Sequence, residues 1–566
     1  MSAKSRDGTS IVAFFGHARS RVTGPRKIGL APPGNGNKLL CNVGLIIFED
    51  EHLLVANKPA GWSTHSPAPF AGEGLYEWLK NREPRWARLA IIHRLDKETS
   101  GLIVFGKTTV ANRSLTDQFE KHRVHKKYVL LTDRPAPAAP LQVKSALVRS
   151  GERYLSRPLH AGAEVAETCF GAGQKSLARG EGNAAWAVAA EPLTGKTHQI
   201  RVHAAAHDFP ILGDILYGGT AADRVYLHAA EIQFVHPGTQ APVSFTAPLN
   251  FSEDPRQALR AALIDASQTN ACRWIHGAAD GWPGLYIDRL GDFLLAQSEA
   301  TLTAAQKGCV EDCARRASAQ GVYHKILQRQ ARAAPQWLSG RTAPEEILVR
   351  ENGLQFALRF DEGYSVGLFL DQRDNRRRLL TGYIAPKLEI APAAEVLNAF
   401  AYTCGFSVAA AAAGGRVTSL DLSKKYMEWG KRNFVLNQID PARHDFIFGD
   451  AFDWFRRLSK KKRRFDVIIL DPPTFSRSKE GGVFQVEKDY GALLTAALPL
   501  LNPGGIILAS ANAATLEPEK FLNAIDRALA QSRRRVAGRQ YIPQPPDFPV
   551  HRAEPAHLKT VWLQMA

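Results

Sequence analysis

From Gly44 to about Pro248 short apolar runs alternate with turn residues, and helical periodicity is confined to roughly 72–82 and 109–123. Apolar runs of strand length between breakers predict an α+β region dominated by a mixed, mainly antiparallel sheet. Residues 249–265 begin polar and turn-forming (Asn250-Phe251-Ser252-Glu253-Asp254-Pro255) and continue as a helical run, which predicts a short junction. A small α/β region is expected from about Asn270 to Arg350, with a helix near 302–319. Beyond Phe360 the pattern repeats strand, glycine turn and helix, with strands at Val396–Ala399, Val417–Leu420, Phe446–Phe448, Val467–Leu470 and Ile506–Ser510. That repetition predicts a Rossmann-like, doubly wound α/β domain. The expected division is an arm over 1–40, a first domain over 41–262, a small subdomain over 263–350 and a last domain over 351–566.

Composition changes this picture little, and charge changes it more. A chain of 566 residues exceeds what one core organises. Its net charge is +17, and the basic excess is shared by both halves, which suits a polyanionic ligand. The first 40 residues carry seven Lys/Arg against Asp7, with many Gly, Pro and Ser and no apolar signal core, so they read as a flexible basic arm. No apolar run approaches the roughly 20 residues of a membrane-spanning helix. The six cysteines are scattered; Cys309 and Cys313 are four apart, without the further ligands of a zinc set. Reduced thiols, no metal and a cytoplasmic location are expected. The run from Lys460 to Arg464 reads as a solvated loop.

The first candidate chemistry is His93-Arg94-Leu95-Asp96-Lys97-Glu98-Thr99-Ser100-Gly101-Leu102, which sets a carboxylate between the apolar runs 89–92 and 102–105. This string resembles the catalytic motif of the RluA-type pseudouridine synthases, whose essential carboxylate is the aspartate. The resemblance covers about 41–248. It extends to Lys58-Pro59-Ala60-Gly61 through His65, to Lys127-Tyr128-Val129, to the run from Gly195 to His203, to Leu227-His228-Ala229 and to His236-Pro237. It implies that Asp96 either attacks the ribose anomeric carbon or removes a ribose proton, and that Tyr128 stacks on the uracil and serves its proton transfer. It also implies that Arg201 pairs with Asp96. Alternation of Ile200 and Val202 predicts a strand there, with Arg201 on the opposite face. Arg94 leaves the same loop as Asp96; it is expected to fill the gap left by an extruded base and to contact phosphate. No cofactor is implied for this half.

The second candidate chemistry starts at Val396-Leu397-Asn398-Ala399-Phe400-Ala401-Tyr402-Thr403-Cys404-Gly405-Phe406, a strand running into a tight loop. It resembles the first motif of class I S-adenosylmethionine-dependent methyltransferases. That resemblance implies cofactor contacts from Phe400, Tyr402, Thr403 and Gly405, with Asp421 on the ribose, Asp450 on the adenine and Asp471 closing the site. Cys404 stands where relatives often have glycine and is expected to crowd the methionine end. Asp471-Pro472-Pro473-Thr474-Phe475 would hold the target base through Pro472, Pro473 and Phe475. Two segments, from Gly367 to Arg376 and from Asp280 to Arg289, resemble large-subunit rRNA methyltransferases of the RlmI and RlmK group over about 265–566. Within that group Arg373 is expected at the cofactor and the 263–350 subdomain at RNA.

Relatives that make 5-methylcytosine carry a cysteine after the fifth strand, where this chain has Asn512. Carbon 5 of cytosine needs such a nucleophile, whereas guanine nitrogen 7 has an exposed lone pair. Relatives that make 7-methylguanine carry Asp-Pro-Pro-Thr-Phe-Ser and an asparagine near this position, as here, so the resemblance favours 7-methylguanine, with an exocyclic amino group next. The expectation is a bifunctional enzyme acting on RNA, 23S rRNA foremost, with S-adenosyl-L-methionine as its cofactor. Two rivals are an rRNA-binding assembly factor without catalysis and a chain in which only the synthase works.

Overall fold

The computed structural model describes residues 44–177, 184–327, 334–362, 365–478 and 482–566. The basic arm expected over 1–40 lies outside the described residues, as does Cys41. Among the described residues no helix is long and apolar enough to cross a membrane.

In the first sheet the strands follow the order Ile46–Glu49, Leu53–Lys58, Ser100–Gly106, Leu227–Val235, His125–Thr132, Ala184–Pro192, Val165–Phe170, Leu141–Ser150 and Arg153–Arg157. Along this path only Ser100–Gly106 and Leu227–Val235 pair in parallel. At that junction Gly101 has φ +111, and a Cβ on it would stand 2.3 Å from the Ala229 carbonyl oxygen. Glycine is what lets the two strands meet behind the Asp96 loop. The helices Leu75–Lys80 and Thr109–Glu120 answer the two helical patterns.

The strand expected around Arg201 is a helix, Gln199–Ala206. Residues 199–204 are all buried in it. An element packed on every side shows neither the alternation of a strand nor the stripe of a surface helix, so Ile200 and Val202 gave a false period.

The small region forms a five-stranded sheet, Ala271–His276, Leu285–Leu290, Phe293–Ser298, Gly321–Ile326 and Gln336–Gly340, backed by the helix Ala304–Ala317. Thr303 and Gln306 close that helix's N-terminus as a reciprocal capping box. The hairpin Ile347–Glu351 with Leu354–Leu358 bridges to the last domain. Its Ile347, Val349 and Phe356 share one cluster with Leu290 and Phe293 before it and with Val408 and Phe434 after it. The expected boundary at 350 therefore runs through a continuous core.

The last sheet has the order Asp445–Phe448, Arg416–Asp421, Glu395–Ala399, Phe465–Leu470, Leu501–Asn512, Leu558–Met565 and Val536–Pro543. The first five strands are parallel and the last two antiparallel. Chain order reverses on either side of Glu395–Ala399, the place where open α/β sheets form their ligand crevice.

The first and last domains meet over charge. In the helix Arg373–Thr381, residues 373–379 are buried. Arg377 Nη2 lies 2.7 Å from Glu83 Oε1, the Tyr383 hydroxyl donates to the Lys80 carbonyl at 2.8 Å, and Phe70 meets Tyr541 edge-on at 5.1 Å. The junction helix Pro255–Leu263 is capped by Asp254 and sinks Leu263 into the first core. From the same helix Arg260 reaches Asp280 at 2.6 Å.

Candidate active sites

Asp96 sits in the loop between the two-residue strand Ala90–Ile91 and Ser100–Gly106, on an open cleft of about 780 Å³. Arg94, Tyr128, His198 and Arg201 line the same cleft, so the sequence-selected residues of the first site do come together. The loop is clamped from the Lys-Pro-Ala-Gly side. Lys58 is fully buried and donates to the carbonyls of Pro59 at 3.0 Å, Trp62 at 2.7 Å and Lys97 at 3.2 Å. Burial pulls its ammonium down to about 7. The Gly61 N–H also donates to the Lys97 carbonyl, and the Thr64 hydroxyl donates to the Leu95 carbonyl at 2.8 Å. The backbone on both sides of Asp96 is thus fixed by groups more than 30 residues away in sequence.

Arg201 faces Asp96 at 3.5 Å through Nη1, but its principal partner is Asp214. Nε and Nη2 grip that carboxylate at 2.6 and 2.8 Å, and Asp214 is 1% exposed. Burial alone would lower the guanidinium's affinity for its proton; the Asp214 hydrogen bonds and the Asp214 and Asp96 charges hold it above its ordinary value. Neither Asp214 nor the neighbouring Tyr217 was singled out by the sequence motifs. The available signal was the turn Gly213-Asp214-Ile215-Leu216-Tyr217-Gly218, bracketed by glycines with φ +84 and +85. Burial, and then the charge of Asp96, push the Tyr128 phenol up, so it stays protonated. Arg94 is exposed at the rim.

In the last domain Asp421, Asp450 and Asp471 lie at the C-terminal ends of three of the parallel strands, or just beyond them. The loop after Glu395–Ala399 is wound through left-handed backbone at Phe400, Tyr402 and Cys404. Asp421 receives the Tyr402 and Ser423 N–H groups, both at 2.8 Å, and burial raises its carboxyl. Asp450 caps the helix Ala451–Lys460 through the Asp453 N–H. Asp471 receives Gln372 Nε2 at 3.1 Å, and burial pushes it up to about 6. Asn398 Oδ1, within the neighbouring strand Glu395–Ala399, is buried with no hydrogen-bond partner.

Two expectations are corrected here. Cys404 points away from the loop: its Sγ would stand 2.3 Å from a Cβ on Gly430, so the thiol fills the space that glycine leaves on the helix Lys424–Leu436. Burial pushes it up to about 12. Arg373 is buried and committed elsewhere, both terminal nitrogens 2.8 Å from Asp547 and Nε 3.3 Å from Asp374. The segment's contact with the strand-end carboxylates comes from Gln372 instead. The Thr403 hydroxyl is tied to the Gly367 carbonyl at 2.5 Å. Pro472 is buried, Pro473 half-buried and Phe475 54% exposed beside the strand end that carries Asn512, whose carbonyl accepts from the Thr474 hydroxyl. Gly405 begins the helix Gly405–Ala412.

Residues 52–206 match a family model for RNA pseudouridylate synthases, and residues 295–563 match one for S-adenosylmethionine-dependent methyltransferases. The chain is 33% identical over 325 residues to a ribosomal RNA large subunit methyltransferase of Deinococcus radiodurans, covering 55% of this chain and 76% of that one. It is 31% identical over 315 residues to ribosomal RNA large subunit methyltransferase I of Aliivibrio fischeri (strain MJ11), covering 53% and 75%. Among solved structures it is similar to human RNA pseudouridylate synthase domain containing 4, with 23% identity, a TM-score of 0.30 and 38% and 92% coverage. The donor set in the last domain fits S-adenosylmethionine: half-buried carboxylates suited to hydroxyl and amino groups, and the buried Asn398 amide oxygen left without a partner.

Proposed function

The chain belongs to the ribosomal RNA large subunit methyltransferase family and carries an RNA pseudouridylate synthase domain ahead of it; from this we propose that one molecule isomerises uridine and methylates a base in the same large-subunit (23S) rRNA. The observation that carries the reading is the presence of two separate carboxylate sites, Asp96 facing Arg201 in the first cleft and Asp421 with Asp471 along the last sheet.

In the first site Asp96 opens the glycosidic bond, by adding to the anomeric carbon or by taking a ribose proton. Both routes act through a carboxylate oxygen, and Arg201 Nη1 faces that oxygen at 3.5 Å. Tyr128 offers an aromatic face to the uracil. Its protonated phenol suits donation rather than proton removal. Arg94 at the rim takes the place of the extruded base. Arg94→Ala is expected to cut isomerisation about tenfold or more on folded rRNA and much less on a short single strand carrying the same uridine, because only the folded substrate must be opened. Equal losses on both substrates would exclude that role.

S-adenosylmethionine supplies the methyl group of the second reaction. Asp421 would hold its ribose hydroxyls, Asp450 its adenine, and the 400–405 loop its methionine end, while Asp471, Pro472, Pro473, Phe475 and Asn512 address the base. We favour guanine nitrogen 7 as the acceptor. Asn512 stands at the position of the cytosine nucleophile, and Cys404 is buried against Gly430, which supports a route without a covalent cysteine step. Nucleoside mass spectrometry of 23S rRNA from parent and deletion strains tests the whole reading. Joint loss of pseudouridine and 7-methylguanosine is expected. Loss of 5-methylcytidine would overturn the acceptor, and an unchanged profile would overturn the substrate.

A further inference from the structure

We propose that the turn carrying Asp214 and Tyr217 positions the catalytic carboxylate of the isomerase site, Asp214 by holding Arg201 and Tyr217 by holding His198. The inference rests on the reading of Asp96 as that carboxylate. Arg201 is gripped along one edge by Asp214, at 2.6 and 2.8 Å, and this leaves Nη1 facing Asp96 at 3.5 Å and Glu98 at 3.7 Å. A planar guanidinium held bidentately on one side has little freedom in where its third nitrogen points.

The second arm is built from polar hydrogens. The Tyr217 hydroxyl accepts the Tyr154 N–H at 2.9 Å and lies 2.8 Å from His198 Nδ1. With its oxygen engaged by that N–H, the phenol's own proton is available to Nδ1, which puts the imidazole proton on Nε2. Nε2 is the nitrogen 3.9 Å from Asp96 Oδ2. Both arms therefore converge on the same carboxylate oxygen. Their separations exceed ordinary hydrogen-bond lengths, as catalytic contacts often do before substrate closes the site.

Two further observations set this turn apart from ordinary packing. Ile215 and Leu216, between the two anchors, are 69% and 37% exposed, so apolar burial is not what fixes the turn. His198 adopts left-handed backbone, φ +58, at the head of the helix that carries Arg201. A non-glycine residue keeps such a conformation only when its surroundings impose it. The Arg201 guanidinium also lies 5.2 Å from the centre of the Tyr217 ring, which joins the two arms.

The test uses the full chain and protein-free 23S rRNA from a strain lacking the gene, with kcat and KM for pseudouridine formation read separately. Asp214→Asn is expected to lower kcat about 100-fold and Tyr217→Phe about tenfold, each with KM within about twofold, because the lost interaction acts only on the reacting carboxylate. Asp214→Asn leaves Arg201 facing an uncharged amide and risks the fold. Tyr217→Phe removes one hydroxyl and carries the test by itself. A Tyr217→Phe enzyme with unchanged kcat, or with its loss in KM alone, overturns the proposal. Asp96→Asn run alongside separates the two levels. Activity surviving Asp96→Asn overturns the reading of the site; an inactive Asp96→Asn beside a fully active Tyr217→Phe overturns only the role of the turn.

Discussion

Asp96→Asn is expected to lower pseudouridine formation by a factor on the order of 10⁴ or more, while methyl transfer from S-adenosylmethionine by the same preparation stays within about twofold. The amide keeps the size of the side chain and removes the charge that either route to glycosidic cleavage requires. Asp96 is partly exposed, and the backbone around it is held by Lys58, Gly61 and Thr64 rather than by its own carboxylate. The substitution should therefore leave the fold intact. Arg201 keeps Asp214 as its counter-ion, so no buried guanidinium is left unpaired. Pseudouridine measured by mass spectrometry after incubation with 23S rRNA, beside incorporation of labelled methyl groups, gives both readouts from one sample. Retained isomerisation would remove Asp96 from the mechanism.

The second large effect belongs to Asp471. Its carboxyl titrates near 6 because burial penalises the charged form. If the ionised form serves the site as an acceptor, methyl transfer falls as pH drops through about 6, and Asp471→Asn loses activity by about 100-fold or more at neutral pH. Stability moves the other way. A carboxyl raised in the folded state binds more protons there than in the unfolded chain between its ordinary value near 4 and about 6. The folded protein therefore loses stability as pH rises across that window, the same window in which the site gains its charge. Asp471→Asn should flatten this slope. Thermal unfolding and methyl transfer followed from pH 5 to 7 check both signs; a midpoint that rises with pH in the wild type but not in the variant would refute the assignment.

Much of this arrangement was legible in the residues, and the failures have physical causes. The five parallel strands fell within one to five residues of their expected ends, because buried strands between glycine turns read as unbroken apolar runs. Arg201 lines the cleft with Asp96 but stands on a helix and not on the expected strand, since a helix buried all round hides its period. Asp214 and Tyr217 escaped because an anchor is recognised by what it touches, and their partners Arg201 and His198 lie more than ten residues away across the cleft. Arg373 was misplaced for a related reason. In a run such as Asp371-Gln372-Arg373-Asp374 spacing cannot tell which member faces the site, and it is Gln372 that does. The crowding expected from Cys404 assumed an outward thiol; Gly430, 26 positions on, is where the room for it lies.

The charged seam between the first and last domains has a consequence for how such a chain can change over generations. Arg377 and Glu83 are paired with side chains 6% and 14% exposed, and Tyr383 and Tyr541 lean on the same side of the synthase domain. One substitution at Asp96 would silence the isomerase and leave this seam untouched. Deleting the domain would remove Glu83 from Arg377 and bare the surface around Tyr541, at a cost that chemistry alone does not impose. Loss of an activity and loss of its domain are therefore separate events for this protein. A lineage that abandons pseudouridine formation is expected to keep a catalytically silent synthase fold as a structural companion to the methyltransferase.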